Sequence, residues 1–289
     1  MKNLLKLPNQ KRSEMNLRAL IEAKLFLKLA ESREDDIEKL HIANETFENI
    51  VAFIRNLGNN PSNFAESFYT DQSGKLKGFH LPTNLVPIPE ISDLFIEFLD
   101  RKLYGVKDTI KARAGRVLEP NTGKIKHLHI KLYIDAPEDV IKAPKAYNKW
   151  FAKNLAELLE SSNYRSSFVH EFTHTLDFRR INPEYLITRA KRKLAEKEAG
   201  GVRDRDKYAN DPLELNAYYQ QAMSDFYNTL VKAKTVEEWN GYVGETPQEF
   251  AENLVTIYLR PQVQRRITPE NKKRLLKRAA TAWEYLKID

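Results

Sequence analysis

The stretch Ser167-Phe168-Val169-His170-Glu171-Phe172-Thr173-His174-Thr175-Leu176-Asp177-Phe178 reads as a helix with two distinct faces. Phe168, Phe172 and Leu176 recur at every fourth residue and make an apolar stripe that must pack on something. His170 and His174 share the adjacent face one turn apart, so both imidazoles can reach one ion at a zinc-to-nitrogen distance of about 2.0–2.1 Å. Glu171 is rotated from His170 by about 100°. It therefore stands beside the ion, where it can hydrogen-bond a water and take its proton without filling a coordination position. The plainer alternative, two surface histidines a turn apart, accounts for neither the acid nor the separate apolar stripe.

A catalytic zinc site takes three protein ligands and keeps one place open. The chain has no cysteine, and none of its six histidines follows His174, so the third ligand must be a carboxylate if it lies downstream. Asp177 falls on the same helical face three residues on, but its short stem would have to curl back. It is expected instead beside the ligands, steadying an imidazole or meeting Arg179 or Arg180. Glu214 lies in Asn210-Asp211-Pro212-Leu213-Glu214-Leu215-Asn216-Ala217-Tyr218, in the first turn of a new helix, where a carboxylate projects from a rigid element. Asp211 and Glu214 also have the spacing of a capping box, so Glu214 either completes the metal site or caps its own helix.

Working outward, Lys124 to Asp135 alternates as a half-buried strand does, with Leu128, Ile130, Leu132 and Ile134 on one face and His127, His129, Lys131 and Tyr133 on the other. Arg116 to Glu119 reads as its partner strand across the turn Pro120-Asn121-Thr122-Gly123. His127 and His129 face water or line a cleft, since no acid of suitable spacing accompanies them to make a second metal pair. Helices are expected over Pro144 to Ser161 and after Asn182-Pro183. Three more begin at Asp211-Pro212, Thr246-Pro247 and Thr268-Pro269, each a capping residue followed by proline at the first helical position.

Residues 1–110 read as a helical N-terminal region. Leu17, Leu20, Ile21 and Leu25 form one helical stripe, Ile37, Leu40, Phe47, Ile50, Val51 and Ile54 a second that stops at Gly58, and Ile91 to Tyr104 a third helix burying Leu94, Phe95, Phe98 and Leu99. Between the last two, residues 59–90 are rich in Asn, Pro, Ser and Gly and read as an irregular connection. Residues 111–289 are then the domain that carries the HExxH helix.

These residues resemble the zincin metallopeptidases, and among them the gluzincins, over about Lys124 to Leu230. The resemblance implies an α+β, mainly helical fold with a small sheet and an active-site helix. It implies Zn2+ held by His170, His174 and Glu214, with Glu171 as general base and proton shuttle. The strand Lys124 to Asp135 becomes the edge along which an extended peptide pairs, and the reaction is hydrolysis of a peptide bond. The run PLELNAY after HEFTH is also similar to HExxH proteins encoded by phages and bacteria. Two departures stand out. Thirty-nine residues separate His174 from Glu214, against about twenty in the gluzincins, which implies an inserted helix over Pro183 to Ala199 and a loop over Gly200 to Asn210. Tyr218 stands where the family often has an acid; it either hydrogen-bonds the developing oxyanion or packs as a rim aromatic.

Composition bounds the alternatives. With 42% hydrophobic and 30% charged residues, the chain reads as ordered and globular, and no apolar run approaches the length that crosses a bilayer. Met1 to Met15 lacks the apolar core of a secretory signal, so a cytoplasmic or virion-associated protein is expected. The partner is expected to be a protein or peptide substrate. A competing reading is a structural or interaction protein, such as a virion component, built on the same fold. A third is association with nucleic acid, prompted by the formal charge of +7, although charges of both signs are interspersed along the expected helices and no motif adds to it. The basic run Lys272, Lys273, Arg274, Lys277 and Arg278 reads as the solvated face of a packed amphipathic helix.

Overall fold

The structure, a computed structural model, describes residues 35–58, 64, 66–82, 85, 94–107, 111–118, 125–160, 162–180 and 204–287. The stripe through Leu17 to Leu25, the Pro120 to Gly123 turn and the Pro183 to Ala199 helix lie outside them. The architecture is α+β. It comprises two compact units, one of residues 39–221 and one of residues 1–38 with 222–289.

The larger unit is a mixed sheet with helices against one face. It opens with α1 (Asp35–Gly58), whose Leu40, Phe47, Ile50, Val51 and Ile54 are buried as their spacing requires. Five strands follow, β1 (Tyr69–Thr70), β2 (Leu76–His80), β3 (Leu94–Asp100), β4 (Ala112–Leu118) and β5 (Ile125–Ile134), ordered β1-β2-β3-β5-β4. β3 and β5 run parallel, and the other pairs are antiparallel. After β5 come a short helix α2 (Glu138–Ile141), α3 (Pro144–Leu159) and the long helix α4 (Ser162–Arg180). Then follow α5 (Arg205–Ala209) and α6 (Pro212–Leu230). Leu128, Ile130, Leu132 and Ile134 are fully buried, as the alternation of β5 predicts. The core they join is strongly aromatic. Phe68 contacts Phe64, Phe79, Phe98 and Phe151 at ring-centroid distances of 4.5–6.1 Å, and Phe47 meets Phe168 at 5.3 Å.

Several expectations are corrected. The stretch expected as a helix over Ile91 to Tyr104 contains β3: Leu94, Ile96 and Phe98 are buried while Phe95 and Glu97 are half-exposed, an alternation of two. The sequence Leu-Phe-Ile-Glu-Phe-Leu satisfies the helical and the strand period alike. The choice falls to the seven-residue parallel register with β5, from Leu94 opposite Leu128 to Asp100 opposite Ile134. Residues 59–90 are likewise not merely an irregular connection, since β1 and β2 form a hairpin there. The polar run belongs to its turn, where Asp71 Oδ1 accepts from the Ser73 and Lys75 amides and Gly74 takes a positive φ of 81°. β5 is not the edge strand. It is sandwiched between β3 and β4, and the edge beside the HExxH helix is β4. Within the loop expected over Gly200 to Asn210, Asp204 caps the short helix α5 by accepting from the Asp206 and Lys207 amides.

In the smaller unit, helices α7 (Val236–Val243), α8 (Pro247–Asn253), α9 (Pro261–Gln264) and α10 (Pro269–Leu286) follow the end of α6. Thr246 and Thr268 cap α8 and α10 through their side-chain oxygens, as their position before proline predicts. Trp239 is buried and donates its indole N–H to the Leu286 carbonyl at 2.7 Å, tying α7 to the end of α10. Among the described residues no helix is long and apolar enough to cross a membrane.

Candidate metal centre

The site is built on two helices of the larger unit that run antiparallel. Ser166, His170 and His174 rise along one face of α4, and Gln221, Tyr218 and Glu214 descend along the facing side of α6. Gln221 Nε2 donates to Ser166 Oγ at 3.3 Å, the Tyr218 ring lies 4.6 Å from that of His170, and Glu214 Oε2 lies 3.2 Å from His174 Nε2. Each contact is one turn from the next on both helices, so a single packing register sets all three. On the opposite face of α4, Phe168, Phe172 and Leu176 are buried as the apolar stripe predicts.

His170, His174 and Glu214 form a metal-competent group. All three are buried, at 6%, 6% and 5% exposure, and their ligand atoms lie within 4.8 Å of one another. Glu214 Oε2 is 3.8 Å from His170 Nε2 and 3.2 Å from His174 Nε2. A tetrahedral ion with bonds of about 2.05 Å spaces its ligand atoms about 3.4 Å apart. The two distances bracket that value, so a divalent ion fits with only small side-chain adjustments.

The electrostatics point the same way. Burial opposes ionisation of Glu214, yet hydrogen bonds from His170, His174 and Tyr208 outweigh it and hold the carboxyl well below the usual carboxylate range. Burial also disfavours charge on the imidazoles, and it prevails at His170, whose pKa falls below the ordinary value. At His174 the hydrogen bond and charge of Glu214 overcome it, and the pKa rises. A buried carboxylate facing two imidazoles thus holds a proton where a cation can replace it.

The capping alternative for Glu214 gives way to this placement. Asp211 Oδ1 accepts from the Leu213 amide, as an N-cap should, but the Asp211 N–H donates to the Tyr208 carbonyl. That is the donor a capping box would offer to Glu214. Asp177 stands outside the group of three. It accepts from Asn216 Nδ2 at 2.8 Å and pairs with buried Lys39 at 3.6 Å, tying α4 to α6 and α1.

Glu171 is half-buried and accepts a hydrogen bond from the Ala114 amide of edge strand β4, at 2.5 Å. That amide points away from β5. The Tyr133 amide donates to the carbonyl of Lys111, so odd-numbered residues of β4 face β5 and even-numbered ones face the open edge. Tyr218 is 9% exposed, with its ring against that of His170, beside the metal group. His127 and His129 lie on the half-exposed sheet face beside Phe95, outside the metal group.

Sequence reasoning missed Tyr208. Its hydroxyl hydrogen-bonds Glu214, and its ring meets Tyr218 edge-on at 6.4 Å. It precedes Glu214 by six residues across a helix break, so neither helical nor strand periodicity links the two; an aromatic just ahead of the Asn-Asp-Pro cap is the one local sign. A separate concavity of about 510 Å³, lined by Lys111, Asp135, Trp150, Asn154, Glu157, Leu158 and Tyr164, contains none of the candidate residues.

Comparison of the chain with family models, with curated proteins and with solved structures finds no match.

Proposed function

We propose that residues 39–221 form a zincin-like, zinc-dependent peptidase site that hydrolyses peptide bonds. The observation that carries this reading is the convergence of His170, His174 and Glu214 in one buried group, with Glu171 beside it and bonded to an edge strand. The donor set of two imidazoles and one carboxylate suits zinc, and three protein ligands leave a place open. When bound, zinc supplies Lewis-acid polarisation of the scissile carbonyl and makes water a nucleophile near neutral pH.

The chain's own groups supply the rest. The amide of Ala114 fixes one oxygen of Glu171 and leaves the other to accept a proton from the attacking water. Glu171 then delivers that proton to the leaving amine. The outward amides of Ala112 and Arg116, with the outward carbonyls of Ala112, Ala114 and Arg116, offer an extended substrate a line of main-chain hydrogen bonds, which would bring its backbone alongside Glu171. Tyr218 packs on one ligand imidazole and Tyr208 bonds the ligand carboxylate, so both limit the motion of the ligand set.

The test compares wild type, Glu171→Gln and Glu214→Ala for zinc per chain and for cleavage of an unstructured protein substrate. Wild type should hold one zinc and cleave. Glu171→Gln should keep the zinc and lose about 10²–10⁴-fold in rate, and Glu214→Ala should lose most of the metal. A wild type that takes up no zinc sinks the proposal. Zinc uptake without cleavage, unchanged in Glu171→Gln, transfers the site to a structural role.

A further inference from the structure

The positive charge of this chain is not spread over its surface. Residues 260–278 contain eight Lys and Arg and one acid, a surplus of seven, which equals the formal charge of the whole protein. The other 270 residues carry as many acids as bases. This run lies in the smaller unit and comprises Arg260, helix α9, the turn that follows it and the first half of α10.

The fold sorts these charges onto one side of α10. Leu275, Ala279, Ala282 and Leu286 are buried and mark its inner face. Lys273, Arg274 and Lys277 fall on the arc opposite, at helical spacing, and are exposed, with Lys272 exposed at the flank. Arg265 is also exposed, three residues before the Thr268 cap. Lys272, Lys273, Lys277 and Arg265 form no ion pair among the described residues. An outer face of ordinary solvated charge usually alternates in sign, with acids one turn from bases. Here Glu270 is the only acid in the run.

We infer that this face of α10, together with Arg265 in the turn before it, is a docking surface for the phosphate backbone of a nucleic acid, bound without sequence preference. Charge complementarity identifies the occupant. Neighbouring cations on successive turns can meet successive phosphates. An anionic membrane is the weaker match, because a helix that lies on a bilayer buries an apolar face in it. The apolar face of α10 is occupied within its own unit, and no described large apolar side chain of α10 is exposed. The inference does not depend on the metal site.

The experiment uses the full chain and a fluorescein-labelled DNA duplex, with fluorescence anisotropy read across a salt series. With about five phosphates engaged, the slope of log affinity against log salt should approach −4.5, a weakening of about 500-fold between about 50 and 200 mM salt. The variant Lys272→Gln, Lys273→Gln, Arg274→Gln, Lys277→Gln should lose at least tenfold in affinity at low salt, and its slope should fall to about −1. A second variant removes the same charge elsewhere, through Lys142→Gln, Lys145→Gln, Lys149→Gln and Lys153→Gln, all exposed in the larger unit. It should bind within about threefold of wild type and keep the slope. Equal losses in the two variants would mean that net charge alone acts and would overturn the inference. So would a wild type that ignores the duplex but binds phosphatidylserine vesicles, or one that binds neither.

Discussion

At the scale of single residues, the site depends on one carboxylate and on what holds it. Glu214 meets both imidazoles, and the hydroxyl of Tyr208 is a further donor to it. Removing a group that orients a metal ligand typically costs about 10–100-fold in metal affinity. Tyr208→Phe is therefore expected to weaken zinc binding by about that factor, measured by competition with a chromogenic chelator, while circular dichroism stays unchanged. Acid should act on the same group. The pKa of His174 lies above its ordinary value of 6.5 in the metal-free protein, so a proton stabilises that form below the raised pKa and must leave before the metal binds. Zinc affinity should accordingly begin to fall at a pH above 6.5 as acid is added, and fall further as His170 and then Glu214 compete for protons. A pH titration of zinc affinity checks this; a midpoint at or below the ordinary imidazole value contradicts it.

Elements impose constraints that no single side chain reveals. Gly78 and Gly115 both lie in strands with neighbours where a Cβ would go, but the neighbours differ. At Gly78 the obstacle is the backbone carbonyl of Ile96 in the adjacent strand, and at Gly115 it is the His129 ring. A carbonyl held in the sheet cannot give way, whereas a half-exposed ring can rotate. Gly78→Ala is thus expected to cost at least about 3 kcal/mol and Gly115→Ala about 1 kcal/mol, with the Gly115 cost largely relieved in a His129→Ala background. Urea unfolding of the four variants reads all three values. Element identity was also where sequence reading went astray. β3 was legible as apolar but not as a strand, because five residues of Leu, Phe and Ile around one Glu fit both periods; only the parallel pairing with β5 selects one.

For the molecule as a whole, metal should act as a clamp between α4 and α6. Those helices bring their ligands from positions far apart in the chain, and a bound ion joins them. Free zinc at a thousand times its dissociation constant would add about 4 kcal/mol to the stability of the folded form. Chelation is therefore expected to lower Tm by several degrees in wild type and leave Glu214→Ala unaffected, as followed by scanning calorimetry. Hydrogen exchange should localise the change to α4 and α6. Equal shifts in both proteins would place the metal elsewhere.

The HExxH helix, the strand β5, the helix starts before Pro212, Pro247 and Pro269, and the nomination of Glu214 were all readable from sequence. The first three rest on interactions between residues a few positions apart, such as helical faces, strand alternation and side-chain caps, which leave a periodic or positional mark, and Glu214 follows from the absence of cysteine and of any histidine after His174. Sequence also confined Glu214 to two roles, ligand or cap, but did not choose between them. The antiparallel packing of α4 on α6 sets Glu214 beside His170 and His174 in a group that could hold a metal ion, and the folded chain likewise fixes the contact of Tyr208, the edge position of β4 and its amide on Glu171, and the strand at β3. These depend on partners that meet only when the chain is folded, and distance along the sequence carries no record of them.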